Sequence, residues 1–363
     1  MLCCTVVVVG HCAGARPDAA LWAAAASMGV NVFFSLSGFL IVSLLLRERA
    51  MFGSISLRNF YARRAIRIFP VYYAALLLSL VGCLVLGDAF ARPFGSSSAS
   101  LDVRSLALSY GTFMANWSAQ ESPSTLAVLW SVCVEEQFYL LFPIALWFVG
   151  APRWSALRPI VIGLAACWSV RACLAWSEPQ SVYRNTFAHG DHILLGALLA
   201  QLVHEHRSVG LAFLRRFGRA GGDVVTLALL VWLVVLESYL DVAGAILFVG
   251  YFISAVLCAL LVGTFAGGEG ILSSLLSHRV PRYLGQLTYS GYVFHMYAVA
   301  AAWAIVSKFV DARYAFPSRV ALAVPLTFVG AHVVRIGYEA RFLSWKARFS
   351  RTHGERPPAR TPG

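Results

Sequence analysis

Arg64 and Arg67 lie three residues apart just before Pro70, in a run that also carries Arg47, Arg49, Arg58 and Arg63 and only one acid, Glu48. On a helix that spacing puts two guanidiniums on one face. Two planar forks side by side suit a phosphate cluster. The run GVNVFFSLSGFLIVSLLLRERAMFGSISLRNFYARRAIRIFP (29–70) sets this grip between two apolar spans. A phosphate grip fixed to a membrane domain points to an enzyme that uses a phosphorylated donor. A second set of residues lies inside apolar spans: His11, Glu135 with Glu136, Asp191 with His189 and His192, and His295. Ionisable side chains are costly in lipid, so each is a candidate site residue. His11 suits a general base, because neutral imidazole, with an ordinary pKa of about 6.5, can take a hydroxyl proton as the oxygen attacks a thioester. A carboxylate partner would orient the ring and stabilise the imidazolium.

His11, Glu135 and Asp191 all fall toward the outer ends of their spans, so they are expected to converge in one polar cavity, with His295 nearer mid-span. Adjacent helical residues point about 100° apart, so only one of Glu135 and Glu136 aims fully into such a cavity. The other could pair with Arg171, or Arg171 could snorkel outward along its span. No spacing of His, Cys, Asp or Glu suggests a metal site, and neither a GxSxG elbow nor a P-loop is present. The eight cysteines read as small residues packed between helices.

The elements that must position these groups are membrane helices. Of the 363 residues 59% are hydrophobic and only 13% charged, with mean hydropathy +0.71. That composition is an all-α integral membrane protein. Ten candidate transmembrane helices are expected at 1–14, 27–46, 69–87, 128–149, 159–176, 188–204, 223–241, 243–265, 284–309 and 318–337, the first of them short. With both termini cytoplasmic, Lys and Arg favour the inner loops by about three to one, as the positive-inside rule requires. The net charge of +12 then reflects cytoplasmic loops and membrane lipid headgroups, and no nucleic acid partner is expected. Residues 1–337 form the membrane domain; 338–363 form a basic, Pro-rich cytoplasmic tail. The start lacks the basic n-region of a signal peptide, and no repeat of fixed period appears.

Four blocks, in order, carry a family resemblance: VVVVGHC (6–12), GVNVFFSLSGFLI with RNFYARRAIRIFP (29–70), LWSVCVEEQFYLLFP (129–143) and LGQLTYSGYVFHM (284–296). NTFAHGDHILLGALLA (185–200) and YEARFLSWKARF (338–349) match more weakly. The chain resembles the membrane acyltransferase 3 family, integral-membrane O-acyltransferases that modify bacterial surface glycans and some small molecules. The resemblance implies a ten-helix domain in the bacterial cytoplasmic (inner) membrane. It implies an essential His in the first helix, here His11, an Arg-x-x-Arg motif for the acyl-CoA donor, here Arg64 and Arg67 with Arg63 beside them, and a Glu at position 135. Asn31 and Ser37 join Glu136, Asp191, His189 and His295 as candidate polar-cavity residues. Acyl-CoA, most simply acetyl-CoA, is then a donor substrate with no tightly bound cofactor, and the acceptor is a carbohydrate or lipid-linked glycan. Three departures stand out: Asn31 where Asp is common, His189 where Arg often precedes the Asp, and Phe294 for a frequent Trp. The family's Arg or Lys eleven positions before the helix-one His falls just before Met1, which sets the expectation of a truncated N-terminus. The rival readings are a transporter of a lipid-linked or anionic substrate and an inactive family member.

Overall fold

The apolar runs fold as helices, and among the described residues there are no strands. The computed structural model describes residues 1–14, 16–118, 120–149, 156–177, 182–239 and 245–349; the ERPPARTPG end of the tail and most of the 150–158 connection lie outside them. The main helices are α1 (Leu2–Cys12), α2 (Ala19–Phe52), α3 (Leu57–Leu86), α4 (Trp130–Val149), α5 (Leu157–Ser177) and α6 (Asp191–Glu205). They continue with α7 (Arg207–Arg219), α8 (Gly222–Tyr239), α9 (Ala245–Gly267), α10 (Arg279–Phe309) and α11 (Ala315–Val334). After α11 the chain stays helical through a π-turn, Arg335–Glu339, and a 3-10 segment, Ser344–Phe349.

Seven helices among the described residues are long and apolar enough to cross a membrane, or eight if α7 and α8, bent by 73°, count as one broken span. Two of the ten expected crossings account for most of the difference. α1 has 11 residues and α6 has 15, below the ~20 that a ~30 Å hydrocarbon core asks of a helix. The outward faces are apolar: Val85 and Phe148 are each 74% exposed, and Phe309 80%. An apolar exterior on a bundle with buried polar groups is the pattern lipid demands.

Small residues set the closest helix crossing. α6 lies along α2 where a Cβ on Gly38 would stand 1.8 Å from the Ile193 carbonyl oxygen, and one on Gly196 2.0 Å from that of Ser35. Backbones this close are the use of glycine in a membrane bundle. α1 packs against α2, α10 and α11, which brings the first helix of the chain against the last two. The main core joins α2, α3, α4, α6 and α10 through Phe34, Ile41, Tyr72, Cys133, Leu146 and Val293, among others.

The turn from α2 to α3 is built by its own residues. Gly53 ends α2 in the left-handed conformation (φ 71°), and Ser56 caps α3 by accepting from the Asn59 amide. Glu48 reaches across the turn: Oε1 accepts from the Ser56 amide at 2.9 Å and Oε2 from Arg63 at 3.0 Å. One carboxylate therefore fixes both where α3 starts and how its arginine face is turned.

Candidate active site

The turn aims α3 so that Arg63, Arg64 and Arg67 line a cavity of about 910 Å³ between α2, α3, α4 and α10. Val30 and Phe52 both line it, so it follows α2 for roughly 33 Å at 1.5 Å per residue. Arg64 lies over the Tyr139 ring, 5.0 Å from its centroid, and 5.9 Å from that of Phe60. Such stacking holds a guanidinium plane while leaving its N–H edge to bind an anion. Arg63 is engaged by the protein itself, donating to Glu48 and, at 2.7 Å, to the Phe349 carbonyl. Arg49 donates to the Leu146 carbonyl at 2.6 Å and ties α2 to α4.

Glu135 lies deeper in the same cavity and accepts from the Ser37 hydroxyl at 2.5 Å. Glu136 points elsewhere, as the 100° step requires, and its Oε1 is buried with no hydrogen-bond partner among the described residues. Tyr139, one turn after Glu135, shares its face and the cavity. Only the i, i+4 spacing within LWSVCVEEQFYLLFP would have signalled it. The inner end is closed by Tyr292. Its hydroxyl donates to the Val128 carbonyl at 2.9 Å, so the Ser131 hydroxyl, 2.6 Å away, donates to it.

His11 and His295 stand one helical turn beyond Tyr292 and do not line the cavity. Their rings meet edge to face with centroids 5.0 Å apart, and the Tyr292 ring lies 5.6 Å from that of His295. His11 Nδ1 donates to the Val7 carbonyl at 2.9 Å, and His295 Nδ1 to the Tyr292 carbonyl at 2.6 Å. Each bond leaves Nε2 with the lone pair in the neutral ring. His295 Nε2 is buried without a partner among the described residues.

Asp191 belongs to a third cluster. Arg171 on α5 pairs with it at 2.5 Å, both residues being 0% exposed. Arg171 therefore does not snorkel outward and pairs with neither Glu135 nor Glu136. It also lies over Tyr251, 5.1 Å from the ring centroid. His192 bridges Asp191 (3.1 Å) and the Ser254 hydroxyl (3.0 Å). Asn31 donates to Ser254 at 3.3 Å, and its amide oxygen is 2.5 Å from His189 Nε2, whose Nδ1 donates to the Tyr183 carbonyl. Two sequence departures thus fall on one contact: Asn31 and His189, 158 residues apart, touch each other.

The single cavity expected for His11, Glu135 and Asp191 is therefore three clusters. Glu135 and Ser37 share the arginine-lined cavity. His11 and His295 form a pair behind Tyr292. Asp191, His189 and Asn31 form a buried network between α2, α5, α6 and α9. Among the described residues no group of three His, Cys, Asp or Glu side chains is arranged as metal ligands.

An acyltransferase-domain family model (Acyl_transf_3) matches residues 1–335. The chain belongs to the acyltransferase 3 family. This acyltransferase is 28% identical over 297 residues to the peptidoglycan O-acetyltransferase OatA of Listeria monocytogenes, covering 76% of this chain and 45% of the relative. It is 29% identical over 292 residues to the putative peptidoglycan O-acetyltransferase YrhL of Bacillus subtilis, covering 76% and 44%. A putative O-acetyltransferase of Staphylococcus aureus is 24% identical over 305 residues, covering 77% and 47%. The chain thus spans less than half the length of the curated relatives it matches. No solved structure matches it.

Proposed function

We propose that this acyltransferase moves an acetyl group from cytoplasmic acetyl-CoA to a hydroxyl of peptidoglycan or a related bacterial surface glycan. The observation that carries this is the cavity, about 33 Å long beside α2, that holds both the Arg64–Arg67 face and Glu135, with the paired histidines one turn past its inner end. The relatives' printed names supply the acceptor class. In this reading both termini face the cytoplasm, and α1 and α6 complete about ten crossings of the bacterial cytoplasmic membrane. The arginine face then opens on the side where acyl-CoA is made.

Arg64 and Arg67 bind the donor's phosphates, with Arg63 and Glu48 holding their helix in register. Glu135 and Ser37 receive the pantetheine end, and the thioester lies against Tyr292. Val7 holds the His11 tautomer that has a free Nε2. That nitrogen takes the proton from the acceptor hydroxyl as its oxygen bonds the thioester carbonyl carbon. The C–S bond breaks, and the coenzyme thiolate leaves and is protonated from the imidazolium. The acyl carbon and His11 begin on opposite sides of the Tyr292 ring, so this side chain must shift for the two to meet.

The test is acetyl transfer from labelled acetyl-CoA in membranes carrying His11→Ala or Arg64→Ala at equal expression. Loss of a general base is expected to cost 10²-fold or more in rate. Loss of the stacked guanidinium is expected to raise the donor KM by about tenfold. Unchanged transfer in both variants overturns the mechanism.

A further inference from the structure

We infer that Lys346, on the 3-10 segment that closes the chain's described part, is a specificity residue for the donor and reads the 3′-phosphate that distinguishes coenzyme A from its dephospho form. The inference rests on the acyl-CoA reading of the cavity. The segment Ser344–Phe349 folds back on α3, and the Phe349 carbonyl accepts from Arg63. That bond fixes the segment over the first turns of α3. Lys346 then lines the cavity together with Arg47, Arg63, Arg64 and Arg67. It is close enough to Arg67, Arg64 and Arg63 for each to act on its charge. Bringing like charges together costs free energy, and that cost is offset by a ligand with several negative charges.

The charges divide along the cavity. Glu48 and Arg63 pair at 3.0 Å and largely cancel. Arg64 stacks on Tyr139 and faces the Glu135 end. Lys346 is exposed and stands beside Arg67, Arg64 and Arg63, on the segment whose Phe349 carbonyl is held by Arg63. A coenzyme A thioester has the same polarity of layout: acyl group at one end, diphosphate along the way, 3′-phosphate on the adenosine at the far end. With the acyl end at Tyr292, the forks of Arg64 and Arg67 meet the diphosphate, and the remaining phosphate falls to the exposed Lys346 beside them. A monoester phosphate bears close to two charges at neutral pH. Lysine suits it as a compact point charge, whereas the planar fork suits the diphosphate.

The test measures binding of coenzyme A and of 3′-dephospho-coenzyme A to the full chain in lipid nanodiscs, for the unaltered protein, Lys346→Ala and Lys346→Arg. The unaltered protein is expected to prefer coenzyme A by about tenfold or more, the worth of one charge-assisted contact. Lys346→Ala is expected to weaken coenzyme A about tenfold and leave the dephospho form unchanged, so the preference collapses. Lys346→Arg should keep most of it. A merely structural role for the segment would weaken both ligands alike, and that result overturns the inference, as does an unaltered preference in Lys346→Ala. If the unaltered protein binds neither ligand, the acyl-CoA reading falls, and the inference with it.

Discussion

Replacing Asp191 with Ala removes the carboxylate that pairs with the Arg171 guanidinium at 0% exposure between α5 and α6. The lost attraction can be sized. Two unit charges with centres about 4 Å apart at an effective dielectric of about 20 interact by ~4 kcal/mol. Removing one partner of a buried pair typically costs ~3–5 kcal/mol, most of it from the charge left behind. Tyr251 under the guanidinium is in contact before and after the substitution, so it does not reduce the difference. The expected loss for Asp191→Ala is therefore about 3–5 kcal/mol, and Arg171→Met should be less harmful because His192 can still donate to Asp191. The double variant Arg171→Met/Asp191→Ala removes both charges and should recover more than half of the loss. Thermal unfolding of the purified chain in one detergent, read for all four members of the cycle, checks this. A double variant no more stable than Asp191→Ala, or an Asp191→Ala loss below about 1 kcal/mol, would refute the claim that the pair is coupled and buried.

Gly38→Ala is expected to cost about 3 kcal/mol or more, because its Cβ meets a carbonyl oxygen of α6 rather than a side chain that can turn away. Gly330→Ala, with nothing within 4 Å of its Cβ, should be neutral or gain up to about 1 kcal/mol by helix propensity; equal melting shifts for the two would contradict the α2–α6 crossing. Asn31→Asp and His189→Arg each bury one new charge at the same contact, so each alone should lower yield and melting temperature. The pair together should restore much of both, and additive losses would show that the two positions do not touch in the membrane.

The parts of the site that lie near one another in the chain were legible in the sequence. Arg64 and Arg67 share a helix face because their spacing dictates it, and Glu135 and Tyr139 share one for the same reason. What the sequence hid is azimuth. Hydropathy and loop charge place a residue by depth, and His11, Glu135 and Asp191 do have similar expected depths. Depth does not say which neighbour a helix face meets, so three clusters read as one. The sequence alone offers Arg171 a glutamate or an outward path, because the acid that holds it comes from the next helix. Asn31 and His189 are separate departures in the sequence and a single contact in the fold. The crossing count depends on the same kind of information: α6 has an apolar run of ordinary appearance, and its helix covers 15 residues.

The contact of Phe349 with Arg63 spans 286 residues. Its consequence concerns the order in which the chain is made. α2 and α3 leave the ribosome early with the arginine row on them, while α10 and the 344–349 segment, which supply the opposite wall of the cavity, come last. Chains are synthesised at ~5–20 residues per second, so the row waits tens of seconds or less for its cover. Until then several arginines stand beside the membrane surface with only Glu48 near them, and anionic lipid headgroups are the natural interim partners. The cavity thus belongs only to a chain synthesised through residue 349, and a ribosome that stops short of α10 releases a protein with the arginine row but no pocket.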